Sequence, residues 1–324
     1  MTLLLSSVLL GLMWFAATNA VASLLAWLVG RSVMSGTARA PKRQSVQLLL
    51  AIRLLPATAS SLFVLAIFLP AHWRFEPPDT EESFGVVLAG TATLGLLLIL
   101  HAGWRAVRAG VAGHRFGEIA RRAARRVDPD CGDHQVLELK GLRGISLAGI
   151  WQPKIFIGSE ALAALTPAEL DLAIAHEMAH RRSNDNLKRF AMCCTPDLFG
   201  WTSVARRLEQ QWQAESECEA DAHAVRGDGG RAIALASALV KVARLERVGR
   251  LRPASPAFSA FHVPTLLELR VRRLVADSTL PSAARGWMWR LGLSASLVLA
   301  AGFWFSDFSH ELHVLTEALV ASLP

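Results

Sequence analysis

The feature that most constrains this chain is the grouping of its apolar residues into a few long blocks. Hydrophobic residues make up 52% of the 324 residues, and they concentrate at 3–29, 46–69, 84–104 and 287–306. A helix needs about 20 apolar residues to cross the hydrocarbon core of a bilayer. The last block is shorter but has tryptophans near both ends, which is typical of a membrane interface. The sequence therefore predicts a mainly α-helical integral membrane protein with four transmembrane helices.

The charges between these blocks predict how the chain is oriented. The connection 30–45 and the stretch 105–126 are strongly basic, whereas 70–83 and the tail 307–324 are mainly acidic. Cytoplasmic loops collect Lys and Arg, so we expect an extracytoplasmic N-terminus, a cytoplasmic domain at 105–286 and a short extracytoplasmic tail at 307–324. The expected location is a bacterial-type inner (cytoplasmic) membrane, crossed several times. The basic loops also account for the net charge of +7, so no direct nucleic-acid partner is expected.

Three charged or titratable residues interrupt the apolar blocks, namely Arg53, His101 and Arg290. Each lies near the predicted cytoplasmic end of its span. Long polar side chains in such positions extend to the interface and keep their polar end in water. We therefore predict snorkelling side chains here and no proton or transport path.

Between the third and fourth blocks the chain becomes charged and amphipathic, as in a soluble domain. Segments 134–140 and 154–157 are predicted strands, and 202–225, 232–247 and 265–275 have helical patterns. Thr166, Pro167 and Glu169 match a capping box, which predicts a helix over 167–182. The apolar run 190–201 is too short to cross a bilayer, and we expect it to pack under the site or to dip into the membrane surface. The domain is expected to be α+β.

The predicted helix 167–182 carries the pattern His-Glu-x-x-His at His176, Glu177 and His180. Residues four apart lie on one face of a helix, so both imidazoles can bind one metal ion, and this ligand pattern indicates zinc. Glu177 can hold a water molecule and act first as general base and then as general acid. The pattern predicts a zinc-dependent peptidase.

A catalytic zinc site needs a third protein ligand. The stretch 215–223 offers several carboxylates, of which Glu217 and Asp221 lie one helical turn apart. One of the two can bind the metal while the other orients a histidine. The spacing alone leaves open which residue does which.

Together these motifs resemble the BlaR/MecR family of membrane antirepressor metallopeptidases. The order of three spans, a His-Glu-x-x-His domain and a fourth span is similar, as are the stretches 151–157, 176–185 and 206–221. The last stretch also resembles the HtpX and CAAX-prenyl protease group, in which the first glutamate binds the metal. The resemblance implies a cytoplasmic gluzincin-type peptidase domain between spans three and four. It also implies Glu217 as the third zinc ligand and Asp221 behind the ligands.

Two departures limit what this resemblance implies. The family's antibiotic sensors have a penicillin-binding domain after the fourth span, whereas 307–324 contains no Ser-x-x-Lys motif, so β-lactam sensing is not implied. The chain also contains no tyrosine, so a tyrosine cannot stabilise the oxyanion. His262 and Arg270, which resemble the His-Pro…Arg element of the HtpX group, are the candidate oxyanion donors.

The function favoured by these observations is that of a membrane-embedded zinc endopeptidase. Its expected partners are the lipid bilayer and a cytoplasmic or membrane-proximal protein substrate; the resemblance implies a transcriptional repressor in a signalling pathway. Two alternatives stay open: a quality-control protease of the HtpX kind, and a non-catalytic scaffold that binds a repressor and holds zinc structurally. The sequence also leaves open whether the chain forms a homo-oligomer.

Overall fold

A computed structural model of the protein describes residues 3–34, 45–75, 85–127, 136–246, 258–260, 266–276 and 308–322. Most of these residues are helical, and a small mixed sheet lies among them. The predicted fourth span at 287–306 lies outside the described residues, as do His262 and Arg290.

Within the described ranges, three helical segments are long and apolar enough to cross a membrane. The first is α1 (Leu3–Met34), and the third is α4 (Val86–Ala123). The second segment runs from 46 to 75 and consists of α2 (Val46–Leu62), a π-helical stretch (Phe63–Phe68) and α3 (Leu69–Phe75). The 38 residues of α4 extend about 57 Å, which exceeds the hydrocarbon thickness, so this helix continues into the soluble part.

Close packing among these segments depends on a glycine. A Cβ at Gly95 of α4 would lie 2.2 Å from the carbonyl oxygen of Leu12 in α1. Only a residue without a Cβ lets the two backbones approach so closely. Leu10, Phe68 and Leu88, one from each segment, are buried in one cluster. The three segments therefore form a packed bundle.

The soluble part is built around a five-stranded sheet in the order β1-β2-β4-β3-β5. The strands are β1 (Arg125–Val127), β2 (Val136–Glu138), β3 (Ile145–Ala148), β4 (Lys154–Ile157) and β5 (Phe258–Ala260). β2 and β4 are parallel, and the other neighbouring pairs are antiparallel. The predicted strand at 154–157 is confirmed as β4, and the one predicted at 134–140 is shorter, with β2 at Val136–Glu138.

The two faces of the sheet pack against different helices. Ile155 and Ile157 of β4 face the main core of the soluble part. Phe156 points the other way, towards the end of α4, where Ala120 belongs to the same buried cluster and the Phe116 ring lies 5.8 Å away. This alternation is the two-residue period of a strand that is buried on both faces. It fixes α4 to the sheet, and therefore the membrane bundle to the soluble part.

Helices of the soluble part pack on the face of the sheet that carries Ile155 and Ile157. They are α5 (Ser159–Ala164), α6 (Pro167–Arg182), α7 (Asp185–Cys194), α8 (Ser203–Val225), α9 (Gly229–Glu246) and α10 (Leu267–Ala276). The predicted helix at 167–182 is confirmed as α6, and its capping box is formed. Thr166 Oγ1 accepts from the Glu169 amide at 3.3 Å, and a Glu169 carboxylate oxygen accepts from the Thr166 amide at 2.8 Å.

The connection between α7 and α8 packs against α1 and α2. Asn19, near the midpoint of α1, donates from Nδ2 to the Pro196 carbonyl oxygen at 2.9 Å. Arg53 of α2 donates to Asp197 at 2.8 Å and to Glu209 at 2.7 Å, and its side chain is only 2% exposed. The snorkelling prediction is therefore wrong for Arg53, because the ion pairs with the soluble part hold its guanidinium inside the protein.

A last helix, α11 (Phe308–Ser322), lies within the predicted tail and packs against α3 and the π-helical stretch. Trp14 of α1 donates from Nε1 to Thr316 Oγ1 at 3.3 Å. The ring of Phe75 lies 5.4 Å from that of His310 and 5.9 Å from that of His313. This helix thus packs against the end of α3.

Candidate metal centre

The second half of α6 brings two histidines and a glutamate into the interior of the soluble part. His176, Glu177 and His180 are all 0% exposed. The two imidazole rings stand edge to face, with centroids 4.7 Å apart. This is the geometry that four-residue spacing on one helix face produces.

Glu217 of α8 completes a group of three side chains that could hold a metal ion, and it is itself 0% exposed. His176 Nε2 lies 3.1 Å from His180 Nε2 and 3.4 Å from Glu217 Oε2, and His180 Nε2 lies 3.6 Å from Glu217 Oε1. Atoms bound tetrahedrally to one zinc ion at about 2.05 Å are about 3.3 Å from one another. The three residues therefore fit a zinc ion with three protein ligands.

Two aspartates fix the orientation of the histidine rings. Asp221 Oδ1 lies 2.9 Å from His176 Nδ1, and Asp185 Oδ2 lies 2.7 Å from His180 Nδ1. A carboxylate that accepts a proton from one ring nitrogen leaves the other nitrogen free to bind a metal. Both Nε2 atoms are therefore directed at Glu217. The two carboxylates that the sequence could not rank are now separated, with Glu217 in the ligand group and Asp221 behind His176.

Asp185 is held by more than the histidine. Its Oδ2 accepts from Ser216 Oγ at 2.6 Å, and its Oδ1 accepts from Lys188 Nζ at 2.9 Å. Burial alone would raise the pKa of Asp185, but the hydrogen bond and charge of His180 and the Lys188 ammonium outweigh it and hold the pKa well below its usual value. The group behind His180 is thus a carboxylate at neutral pH.

Arg270 of α10 joins the two acidic side chains of α8. Its Nε and Nη2 lie 2.8 and 2.6 Å from the Asp221 oxygens, and its Nη1 lies 3.0 Å from Glu217 Oε2. Burial raises the pKa of Glu217, yet the charges of His180 and Arg270 lower it to well below its usual value. This placement supports a role for Arg270 in holding Glu217 and Asp221. The oxyanion role suggested by the sequence stays a prediction for Arg270 and for His262.

Glu177 differs from every other carboxylate in this centre. Both of its oxygens are buried, and neither has a hydrogen-bond partner among the described residues. Burial raises the pKa of Glu177 to about 7, against the lowering effect of the two histidines. A buried carboxyl group without a protein partner needs an explanation.

Sequence reasoning assigned no role to Asp185, although the residue lies within the family-like stretch 176–185. The reason is the path of the chain after α6. Asn184 adopts a left-handed conformation with φ 55°, which reverses the chain and starts α7 at Asp185. Asparagine tolerates this conformation better than most residues. An asparagine before an aspartate, a few residues beyond the second histidine of the motif, is the signal that could have identified it.

The chain matches none of the protein-family models with which it was compared, and a search of curated proteins gives no match either.

Proposed function

We propose that the chain is a membrane-embedded zinc endopeptidase, with His176, His180 and Glu217 as metal ligands and Glu177 as general base and acid. The observation that carries the proposal is the buried, unpartnered carboxyl group of Glu177 beside a fitting set of three ligand atoms. A purely structural zinc site is normally closed by four protein ligands and has no need of such a group.

Each residue of the centre then has a distinct task. A zinc ion bound there would supply Lewis-acid activation of a water molecule and of a carbonyl group. Glu177, which is buried and has no hydrogen-bond partner among the described residues, takes the proton of the attacking water and later donates it to the departing amine. Asp221 and Asp185 keep the imidazoles oriented. Arg270 compensates the negative charge of Glu217 and Asp221.

The membrane setting belongs to the proposal as well. The three long apolar helices support a membrane protein. The basic loops favour a cytoplasmic peptidase domain and an extracytoplasmic N-terminus, and the block at 287–306 is the proposed fourth span. A cytoplasmic or membrane-proximal protein is the proposed substrate. The resemblance to the BlaR/MecR family makes a transcriptional repressor the first substrate to test.

The test uses the full chain in lipid nanodiscs with a quenched fluorescent peptide library and an unfolded protein such as casein. We expect Glu177→Gln to retain one zinc per chain and to lose cleavage by about 100-fold or more. His176→Ala should lose the zinc. Glu160→Gln, the same change at an exposed position on α5, should behave as wild type.

The outcomes separate the proposal from its alternatives. Cleavage that persists in Glu177→Gln contradicts the assigned mechanism. A wild-type chain that binds zinc but cleaves neither probe nor any candidate repressor favours the scaffold.

A further inference from the structure

One helix, α8, contacts both the membrane bundle and the metal centre. In its first half, Leu208 and Trp212 are buried against α1 and α2, in a cluster with Leu49 and Ile52. In its second half, Glu217 faces the two histidines. Glu209 and Glu217 are eight residues apart, which corresponds to about 12 Å along a helix. A helix of this length moves as a rigid element, so a displacement of its first half also displaces Glu217.

The connection that leads into α8 is held by Asn19 of α1. The Asn19 side chain is 0% exposed. Its Nδ2 donates to the Pro196 carbonyl oxygen at 2.9 Å, and its Oδ1 accepts from the Leu198 amide at 3.3 Å. Ser23 accepts from the same amide at 3.3 Å. Backbone groups among apolar helices must find protein partners, and these two side chains of α1 provide them.

Arg53 of α2 fastens both the connection and the helix. It donates to Asp197 in the connection and to Glu209 in the second turn of α8, at 2.8 and 2.7 Å. One guanidinium therefore fixes where α8 begins relative to the membrane bundle. Its planar fork suits two carboxylates at once, which a lysine could not match.

A third contact between α1 and α8 is the close packing at Gly30. A Cβ at Gly30 would lie 2.8 Å from Leu208 Cδ1 and 3.1 Å from Val204 Cγ1. These distances are too short for ordinary packing, so a side chain at Gly30 would force the Leu208 and Val204 side chains of α8 to move. The contact is steric, and it is independent of the ion pairs of Arg53.

Side-chain contacts also connect the cluster around Trp212 directly to Glu217. Trp212, buried on the bundle, has the Arg189 guanidinium 5.8 Å from its ring centroid. Arg189 in turn donates to Glu217 Oε1 at 3.3 Å. The ligand is thus tied to the membrane bundle both by the backbone of α8 and by a chain of side chains.

We propose that Asn19 and Arg53, two polar residues of the membrane bundle, are positioning residues for the metal centre, because they set the place of α8 and with it that of Glu217. The proposal rests on the metal-binding part of the proposed function. It implies that any displacement of α1 or α2 changes the metal affinity of the soluble part.

The test measures zinc affinity by competition with a chromophoric chelator, on the full chain in nanodiscs, together with the visible spectrum of the Co²⁺-substituted protein. The variants are Asn19→Leu, Arg53→Gln and Gly30→Val. The matched controls of the last two are Arg74→Gln, at the opposite end of the helical segment that contains Arg53, and Gly103→Val, at an α4 site where a Cβ meets nothing within 4 Å. We expect zinc affinity about fivefold weaker or more in the three variants, with a changed Co²⁺ spectrum, and wild-type values in the controls.

A milder variant keeps the proposal testable if those changes impair folding. Glu209→Gln removes one of the two carboxylates held by Arg53, at a side chain that is 39% exposed, and it leaves no new charge buried. A weaker zinc affinity and a shifted Co²⁺ spectrum in any variant that keeps the wild-type unfolding temperature of the apo form support the proposal. Wild-type affinity and spectrum in Glu209→Gln and in every other folded variant overturn it. A wild-type chain that binds no zinc would contradict the metal centre itself.

Discussion

Replacement of Asp185 by asparagine should weaken zinc binding without unfolding the domain. The carboxylate accepts from His180 Nδ1 at 2.7 Å, from Ser216 Oγ at 2.6 Å and from Lys188 Nζ at 2.9 Å. Asparagine has one acceptor oxygen in place of two and no charge, so its amide group must face at least one of these donors. With the amide oxygen towards His180 and Ser216 the NH2 group faces Lys188, and in the reverse orientation it faces His180; in both orientations His180 loses the charged acceptor that fixes its ring.

The size of the effect follows from the position of Asp185 behind a ligand. Loss of a carboxylate that orients a metal-bound histidine typically weakens metal affinity by about 10- to 100-fold. This range corresponds to about 1.4–2.8 kcal/mol of binding free energy. It is expected towards the upper end, because Asp185 is only 3% exposed and solvent cannot replace the lost interaction.

The assay is a zinc competition titration of the metal-free full chain against a chromophoric chelator at constant pH. The control is Asp171→Asn, which makes the same chemical change at an exposed position on α6. Asp171→Asn should show the unfolding temperature of wild type before zinc is added, and Asp185→Asn, which loses the charge that His180 and Lys188 stabilise, should stay folded at the assay temperature. A dissociation constant of Asp185→Asn within about twofold of wild type, or an equal loss in the control, would refute the orienting role.

Three further changes test the local arguments. Thr166→Ala removes the α6 cap and should lower the free energy of unfolding by about 1 kcal/mol in a denaturant titration. Burial raises the pKa of Glu169, but Lys241 and the Thr166 backbone and side chain lower it from 4.5 to about 2. This carboxylate therefore stabilises the fold above pH 4.5 and ceases to do so as the pH falls towards 2. Glu169→Gln should therefore remove a pH-dependent part of the stability from acid unfolding curves; an unchanged curve would contradict this. Gly95→Ala should destabilise the membrane bundle in thermal unfolding, whereas Gly90→Ala, which meets no atom within 4 Å, should not.

The parts of the fold that the sequence predicts are those determined by neighbours along the chain. The helix at 167–182 has its cap, its proline and its glutamate within four residues, and the structure has α6 at Pro167–Arg182. The three apolar segments are predicted from composition alone, because a run of apolar residues as long as a bilayer is thick has few structural roles other than crossing a membrane. β3 is absent from the prediction, because its four residues lie between glycines and are stabilised by pairing with distant strands.

The parts that escape prediction depend on partners far away in sequence. Arg53 looks like an interfacial arginine when only its own helix is considered, and its burial follows from Asp197 and Glu209, which are more than 140 positions away. Similarly, the motif names His176 and His180, but the packing of α8 on α6 decides that Glu217 faces them while Asp221 lies behind His176. A spacing rule cannot rank two carboxylates one turn apart, since both lie on the same helix face.

The separation of Arg53 from Asp197 also has a consequence for biosynthesis. The two residues are 144 positions apart, and ribosomes add about 5–20 residues per second, so Arg53 is made roughly 7–29 s before its acidic partner. During that interval the Arg53 guanidinium lacks both of its acidic partners in an apolar environment, which is costly, whereas Asn19 can already donate to Ser60 of α2. We therefore predict that nascent chains stopped near residue 190 stay cross-linked to the insertion machinery, whereas chains stopped well beyond residue 220 are released. Equal release at both lengths would show that α1 and α2 enter the lipid before the connection between α7 and α8 has been synthesised.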